Sequence, residues 1–238
     1  MDCRLGVLAL GDSITNGGGE LQYGVALQSW ALWTARGLKL PYTGMATDGA
    51  RAARVVAEQL PAVRPEARYD VGLLYIGVND VRALDFDLAS FTRDHARALA
   101  FLGERCTRVL TATFPLDLGR PRAGHLEEGN AAVEGNARAA GALLLDLRGF
   151  GGRNLVMHDH VHPTALGQVA IAERALAVLS AAGMDAPVRP SKLVAPERGS
   201  RRNRLRGDLT YAWRHAKVSA RAAALIARER ARSAGTPP

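Results

Sequence analysis

A serine, a histidine and an aspartate in this chain have the residue types and spacing that nucleophilic catalysis requires. Ser13 stands directly after a short apolar run at residues 5–10, within the sequence Gly11-Asp12-Ser13. A serine hydroxyl is a poor nucleophile unless a neighbouring base takes its proton during the attack. A histidine can serve as that base, and a carboxylate can then hold the histidine in the correct tautomer. The serine therefore needs two partners from elsewhere in the chain.

Both partners stand late in the sequence, in a segment that holds half of the six histidines. Asp159 and His162 are three residues apart, so that the carboxylate can accept a hydrogen bond from the imidazole within one tight turn. His158 and His160 lack this offset, and only His162 precedes Pro163, which suits the first turn of a helix. A metal site is the alternative for clustered histidines. No further cysteine or histidine lies at ligand spacing, so we expect no metal here.

Two more segments follow predicted strands and could supply hydrogen-bond donors. Asn79 comes just after the apolar run at 70–76, and its side-chain amide could donate to a developing oxyanion. Gly49 follows the second predicted strand and could offer a backbone N–H at the start of a helix. Each segment by itself is more typical of a turn. Their occurrence in the same chain as the serine and histidine segments is what favours a role in a site.

Short apolar runs alternate with helical patterns along the chain. The predicted strands are 4–10, 38–43, 70–76, 107–113 and 142–146. The predicted helices lie near 22–36, 51–60, 88–104, 127–140 and 164–182. Strands that are apolar throughout and separated by helices indicate a parallel sheet buried on both faces. Loops that follow such strands meet at one edge of the sheet, where ligands bind.

Together these segments resemble the SGNH (GDSL) hydrolase family. Three of them match the family's blocks in order, namely Gly11-Asp12-Ser13, Gly77-Val78-Asn79-Asp80 and Asp159-His160-Val161-His162. The resemblance implies Ser13 as the nucleophile, His162 as its base and Asp159 as the partner that orients the base. It also implies an oxyanion hole formed by the Ser13 N–H, the Gly49 N–H and the Asn79 amide.

The glycine segment is the loosest match to the family. Family members commonly place an asparagine two residues before this glycine, whereas Thr47 stands there in this chain. The resemblance covers residues 4 to about 182. It implies a three-layer α/β/α sandwich of flavodoxin-like SGNH type, with a central and mostly parallel five-stranded sheet.

The resemblance also implies an activity, which is hydrolysis of carboxylic esters through an acyl-Ser13 intermediate without metal or organic cofactor. Short-chain esters, lysophospholipids and acetylated sugars are all compatible small-molecule substrates. An acyltransferase that uses the same triad is an alternative. A binding protein with a degenerate site is disfavoured, because Ser13, Asn79, Asp159 and His162 are all present.

Charge divides the chain into a near-neutral body and a basic tail. The net charge of the whole chain is +8, but residues 187–238 carry +10 and residues 1–186 carry −2. We predict a hydrolase domain at 1–186, a linker rich in proline and arginine at 187–204, and a basic amphipathic helical tail at 205–238. One stripe of this tail contains Leu205, Leu209, Trp213, Ala216, Ala220 and Ala223.

The tail also has alternative interpretations as the main functional part of the protein. It could contact an anionic membrane weakly, or it could bind the phosphates of a nucleic acid. A solvated or self-docked helix is favoured over both, and nucleic acid is the less favoured partner. The sequence does not determine the oligomeric state.

The expected location is the cytoplasm, at most peripheral to a membrane. The two cysteines, Cys3 and Cys106, cannot form a disulfide framework, which favours a reducing compartment. The first strand lacks a preceding basic region and is followed at once by Asp12, unlike a signal peptide. No apolar run approaches the roughly 20 residues that span a membrane.

Overall fold

Five parallel strands form the centre of the protein. The computed structural model describes residues 4–118, 125–197 and 201–234. The strands are β1 (Val7–Gly11), β2 (Tyr42–Gly44), β3 (Tyr69–Tyr75), β4 (Cys106–Ala112) and β5 (Leu143–Leu145). Their order across the sheet is β2-β1-β3-β4-β5, and every neighbouring pair is parallel. This architecture confirms the predicted five-stranded parallel sheet.

Helices cover the sheet in two groups. The helices are α1 (Ser13–Asn16), α2 (Trp30–Gly37), α3 (Ala52–Arg54), α4 (Leu60–Ala62), α5 (Val78–Val81), α6 (Leu88–Arg105), α7 (Leu126–Ala140), α8 (Ala165–Ala181) and α9 (Arg201–Ala234). A π-helical turn (Val55–Gln59) joins α3 to α4, and a short 3-10 turn (Pro190–Lys192) precedes α9. Helices α2 and α8 pack together, while α6 packs on both α3 and α7. These two groups complete the predicted α/β/α arrangement.

The helix predicted near 22–36 is shorter in the structure and begins only at Trp30. Ser29 caps it, because its side chain accepts a hydrogen bond from the Leu32 N–H at 3.0 Å. Trp30 and Trp33 are 0% and 4% exposed, so both pack in the core. The Trp30 indole also donates to the Thr15 hydroxyl at 3.3 Å, which ties α2 to α1.

The inner strands β1 and β3 are buried because they are apolar on both faces. All five residues of β1 are buried, and β3 is buried except at Asp70. Continuous apolar strands of this kind belong to parallel sheets that are covered by helices on both sides. The carboxyl ends of β1, β2 and β3 therefore lie together at one edge, where the segments that follow them can meet.

The basic tail forms the long helix α9, which begins at Arg201 rather than at residue 205. Leu205, Leu209 and Trp213, which belong to its predicted apolar stripe, are 61%, 65% and 64% exposed. The helix instead contacts the body through a different face, which includes Tyr211 and His215. No helix in the described part of the chain combines the length and the apolar composition that crossing a membrane requires.

The close approach of α8 to the preceding loop yields a stability prediction. Gly167 lies in the first turn of α8, and a Cβ there would come within 1.9 Å of the Leu155 carbonyl oxygen. We expect Gly167→Ala to lower the free energy of unfolding by about 2 kcal/mol or more, because backbone must shift to remove the clash.

Gly103 provides a matched control, because it lies inside α6 and its added Cβ would meet no atom within 4 Å. Gly103→Ala should stabilise the protein by about 0.5–1 kcal/mol. Urea unfolding of both variants measures the difference. Equal changes in the two variants would contradict the proposed clash.

Candidate active site

Ser13 lies at the carboxyl end of β1, where the chain turns sharply into α1. Gly11 makes the turn possible with a φ of +150°, and a Cβ there would come within 2.3 Å of the Tyr75 carbonyl oxygen. Asp12 caps α1, since its Oδ1 accepts a hydrogen bond from the Ile14 N–H at 3.0 Å. The cap makes Ser13 the first residue of the helix and leaves its side chain at the edge of the sheet.

The structure brings Ser13, His162 and Asp159 together although they are far apart in the chain. Ser13 Oγ lies 2.9 Å from His162 Nε2, and His162 Nδ1 lies 2.7 Å from Asp159 Oδ2. Asp159 Oδ1 also accepts hydrogen bonds from the N–H groups of Val161 at 2.9 Å and His162 at 3.0 Å. These contacts have the order of a nucleophile, a base and an orienting carboxylate.

The electrostatics of this group suit proton transfer. Partial burial raises the pKa of Asp159, but hydrogen bonds from the His162 ring and two backbone N–H groups dominate and hold that pKa at about 2. The hydrogen bond to Asp159 raises the pKa of His162 above its ordinary value, and partial burial opposes this rise. Asp159 is therefore anionic at neutral pH and stabilises the protonated form of His162.

Gln168, which sequence analysis did not single out, joins the serine segment to the helix that follows His162. Its Nε2 donates to the carbonyl oxygens of Ile14 and Gly18, each at 3.1 Å. Its Oε1 accepts from the Trp30 N–H at 2.7 Å. Because Gln168 lies on α8 and is fully buried, it links α1, α2 and α8 directly behind the catalytic contact.

Sequence analysis did not single out Gln59 either. This residue links the ends of β1 and β2. Its Nε2 donates to the Gly11 carbonyl at 2.8 Å and to the Thr47 hydroxyl at 3.2 Å, and its Oε1 accepts from the Gly11 N–H at 3.0 Å. The sequence contains no signal for this role, because Gln59 lies in an ordinary helical pattern. It holds the segment that carries Gly49 beside the segment that carries Ser13.

Asn79 and Gly49, the predicted oxyanion donors, line the same cavity as Ser13. The Asn79 Nδ2 donates to the Ala50 carbonyl at 2.9 Å, which fixes the orientation of the amide. Gly49 has a φ of +70°, in a turn that the Ala50 N–H closes onto the Thr47 carbonyl at 3.2 Å. Both residues line one cavity of about 440 Å³ together with Ser13, Gly18, Gly19 and His162.

Two buried carboxyl groups lie behind this cavity and have structural contacts. Both oxygens of Asp80 accept from the Ala52 N–H at 3.2 Å, which fastens the start of α3 next to the Gly49 turn. Burial raises the pKa of Asp80 to about 6 and that of Asp12 to about 7. Asp80 therefore joins the segment that carries Asn79 to the segment that carries Gly49 and Ala50.

The other two histidines of the 158–162 segment do not contact Ser13. His160 Nδ1 lies 3.2 Å from Asp117 Oδ2, and its Nε2 lies 2.6 Å from His215 Nδ1. His158 lines a second pocket. Within the described ranges, no group of three or more histidine, cysteine, aspartate and glutamate residues could hold a metal ion. The sequence also predicts a loop over the site at residues 115–125. Residues 119–124 of this range lie outside the described residues.

The Asn79 geometry yields a prediction for the oxyanion hole. If the amide donates to the oxyanion, we expect Asn79→Ala to lower kcat by about 10²- to 10³-fold, with little change in KM. Asn79→Asp keeps the size of the side chain but places a carboxylate beside the oxyanion, and it should lower kcat at least as much. Steady-state kinetics on p-nitrophenyl acetate measures both variants. An unchanged kcat in both would exclude Asn79 from the reaction.

The fold is that of an α/β protein with a parallel sheet, and the contact of Ser13, His162 and Asp159 lies at the carboxyl edge of that sheet. Its sequence matches the model of the GDSL-like Lipase/Acylhydrolase family over residues 9–170, and the chain belongs to that family. Family membership supports a hydrolase of the esterase or lipase type. No curated protein matches the sequence.

Solved structures share the fold at low sequence identity. LAE5, an alpha/beta hydrolase enzyme from the metagenome of Lake Arreo, is 19% identical, with a TM-score of 0.61 over 76% of this chain and 98% of that chain. Axe2, an acetylxylan esterase from Geobacillus stearothermophilus, is 18% identical, with a TM-score of 0.59 over 74% of this chain and 96% of that chain. These likenesses agree with the family assignment.

Proposed function

We propose that the protein hydrolyses carboxylic esters through a covalent acyl-Ser13 intermediate. The observation that carries this proposal is the continuous contact from Ser13 Oγ through His162 to Asp159, at 2.9 Å and 2.7 Å. Ser13 also opens onto a cavity that is large enough for a small ester. The contact supplies an activated nucleophile, and the cavity supplies room for its substrate.

In the first half of the reaction, Ser13 Oγ attacks the carbonyl carbon of the ester while His162 Nε2 takes its proton. The carbonyl oxygen becomes an oxyanion, which the N–H groups of Ser13 and Gly49 and the Asn79 amide stabilise. The carbon–oxygen bond to the alcohol then breaks. His162 returns the proton to that alcohol, which leaves, and the acyl group remains on Ser13.

In the second half, water replaces the alcohol. His162 takes a proton from the water as it attacks the acyl carbon, and the same donors hold the second oxyanion. The bond from the acyl carbon to Ser13 Oγ breaks, and His162 gives its proton back to Ser13. The Asp159 carboxylate stabilises the imidazolium in both halves, which agrees with its low pKa of about 2.

A fluorophosphonate probe tests this proposal directly, because it forms a stable bond only with an activated serine. We expect the probe to label Ser13, located by mass spectrometry, and to abolish hydrolysis of p-nitrophenyl acetate in proportion to labelling. Hydrolysis by fully labelled protein, or labelling at another serine, would contradict the proposal. An added alcohol that takes the acyl group in place of water would instead indicate an acyltransferase with the same intermediate.

A further inference from the structure

We propose that α9 completes the active site, and that arginines on this helix bind an anionic group of the ester substrate. The proposal rests on the proposed ester hydrolysis and names the class of ester. The proposal begins from the contacts of α9 with the body near residues 158–162, here called the catalytic loop. The helix is attached at two points, one through Arg153 and one through His160.

The first attachment centres on Arg153, which stands in the body a few residues before the catalytic loop. Its guanidinium forms an ion pair with Asp208 of α9 and lies 5.4 Å from the centre of the Tyr211 ring. The same guanidinium reaches the helix backbone at Gly207, where an added Cβ would be 3.5 Å from Nη2. One arginine thus contacts three neighbouring positions of α9.

The second attachment involves the catalytic loop itself. His160 stands between Asp159 and His162, and its Nε2 lies 2.6 Å from His215 Nδ1 of α9. The two rings also pack together with their centres 4.4 Å apart. The Tyr211 ring is also parallel to the His215 ring, with their centres 6.3 Å apart. The helix therefore contacts the segment that holds the proposed base.

Between α9 and the body lies a pocket of about 420 Å³, two of whose lining residues directly follow residues of the cavity at Ser13 in the chain. Neighbouring residues of the chain divide between the two spaces. Gly19 and Met157 line the catalytic cavity. The residues that directly follow them in the chain, Glu20 and His158, line the second pocket. An ester bound at Ser13 can thus extend into the space beside α9.

The charges around this pocket favour an anion. Arg206 and Arg214 line it from α9, and Arg153 lines it from the body. Glu20 is the carboxylate among the described residues that line the pocket, and Asp208 pairs with Arg153. Among the described residues, no carboxylate pairs with Arg206 or Arg214. Three arginines therefore line the pocket, against Glu20 on its wall and Asp208, which pairs with Arg153. Helix α9 as a whole carries ten basic and two acidic residues over 201–234.

Guanidinium groups without a carboxylate partner form strong, charge-assisted hydrogen bonds with carboxylate and phosphate oxygens. The Tyr211 ring adds an apolar surface to the same wall. We therefore infer that the substrate is an ester with a carboxylate or phosphate group several atoms from the bond that breaks. The anionic group can belong to the acyl part or to the alcohol part.

Binding to the full-length Ser13→Ala variant tests this inference without turnover. The anionic probes are monoethyl succinate, with the charge on the acyl part, and 2-acetoxyethyl phosphate, with the charge on the alcohol part. Their neutral counterparts are diethyl succinate and ethyl acetate. We expect at least one anionic probe to bind about ten-fold more tightly than its counterpart, as one or two charge-assisted contacts would provide.

Two double substitutions in the Ser13→Ala background assign that preference. Arg206→Gln with Arg214→Gln should remove it. Arg221→Gln with Arg228→Gln removes the same charge from the same helix outside the pocket, and this pair should retain the preference. Isothermal titration calorimetry gives the affinities, and circular dichroism checks that each variant is folded.

The inference fails if the Ser13→Ala variant shows no preference for either anionic probe, whether both members of a pair bind or neither does. It also fails if the control pair loses the preference to the same degree, because the effect would then come from overall charge. A preference that depends on Arg206 and Arg214, in a protein that hydrolyses no ester, would instead refute the proposed hydrolysis and leave the binding site.

Discussion

Ser13→Ala should lower kcat for p-nitrophenyl acetate by about 10⁴- to 10⁶-fold. Alanine cannot form the acyl intermediate, and the base at 2.9 Å from Ser13 Oγ then has no hydroxyl to deprotonate. The Asp159–His162 contact does not involve Ser13, so the variant should keep the fold and the cavity. The remaining rate would come from the oxyanion donors and from bound water.

Ser191→Ala is the control for this substitution. Ser191 is exposed, lies outside the catalytic cavity and bonds Glu173 through its backbone N–H, which alanine retains. We expect this variant to have wild-type kcat. Steady-state kinetics of both purified proteins, with thermal unfolding as a check of folding, provides the measurement. If Ser13→Ala kept wild-type kcat in a folded protein, another nucleophile would have to be sought.

Asp159→Asn should lower kcat by about 10⁴-fold, because the amide no longer holds His162 in the tautomer that accepts the serine proton. The size of the side chain and the acceptor for the Val161 N–H are both kept. The variant therefore separates the charge of Asp159 from its role in the shape of the loop. Asp185→Asn, at an exposed position, is the matched control.

The pH profile adds a second readout for Asp159→Asn. His162 must be neutral to act as base, so wild-type kcat/KM should rise with pH through the raised pKa of His162. The hydrogen bond to Asp159 is the main cause of that rise, so its removal should move the midpoint to lower pH. A midpoint that stayed in place in the variant would show that another group controls the profile.

Much of the fold could be predicted from the sequence, because β1 and β3 are buried on both faces and are therefore apolar throughout. It was also sufficient to select Ser13, Asn79 and the Asp159–His162 pair, since each stands in a short segment whose spacing is itself informative. The structure places these segments around one cavity. Their chemical roles remain predictions that the substitutions above address.

Local sequence patterns could not predict the hydrogen bonds that support the site. Gln168 bonds a carbonyl 154 positions away in the chain, and Gln59 bonds one 48 positions away. The placement of α9 was also not predictable from periodicity. Its apolar stripe, which includes Trp213, faces solvent, because polar contacts of His215 and Asp208 hold the opposite side of the helix to the body.

The π-helical turn at Val55–Gln59 has a consequence for how the first strand is anchored. In this turn the Leu60 N–H donates to the Val55 carbonyl, five positions back, so the turn contains one residue more than an α-helical turn would. Each residue of an α-helix advances the direction of the side chains by about 100°. Deletion of one residue here would therefore swing Gln59 away from Gly11. The anchoring of β1 thus depends on the number of residues in this helical segment. A deletion there would displace Ser13, the proposed nucleophile, without altering any residue of the proposed site.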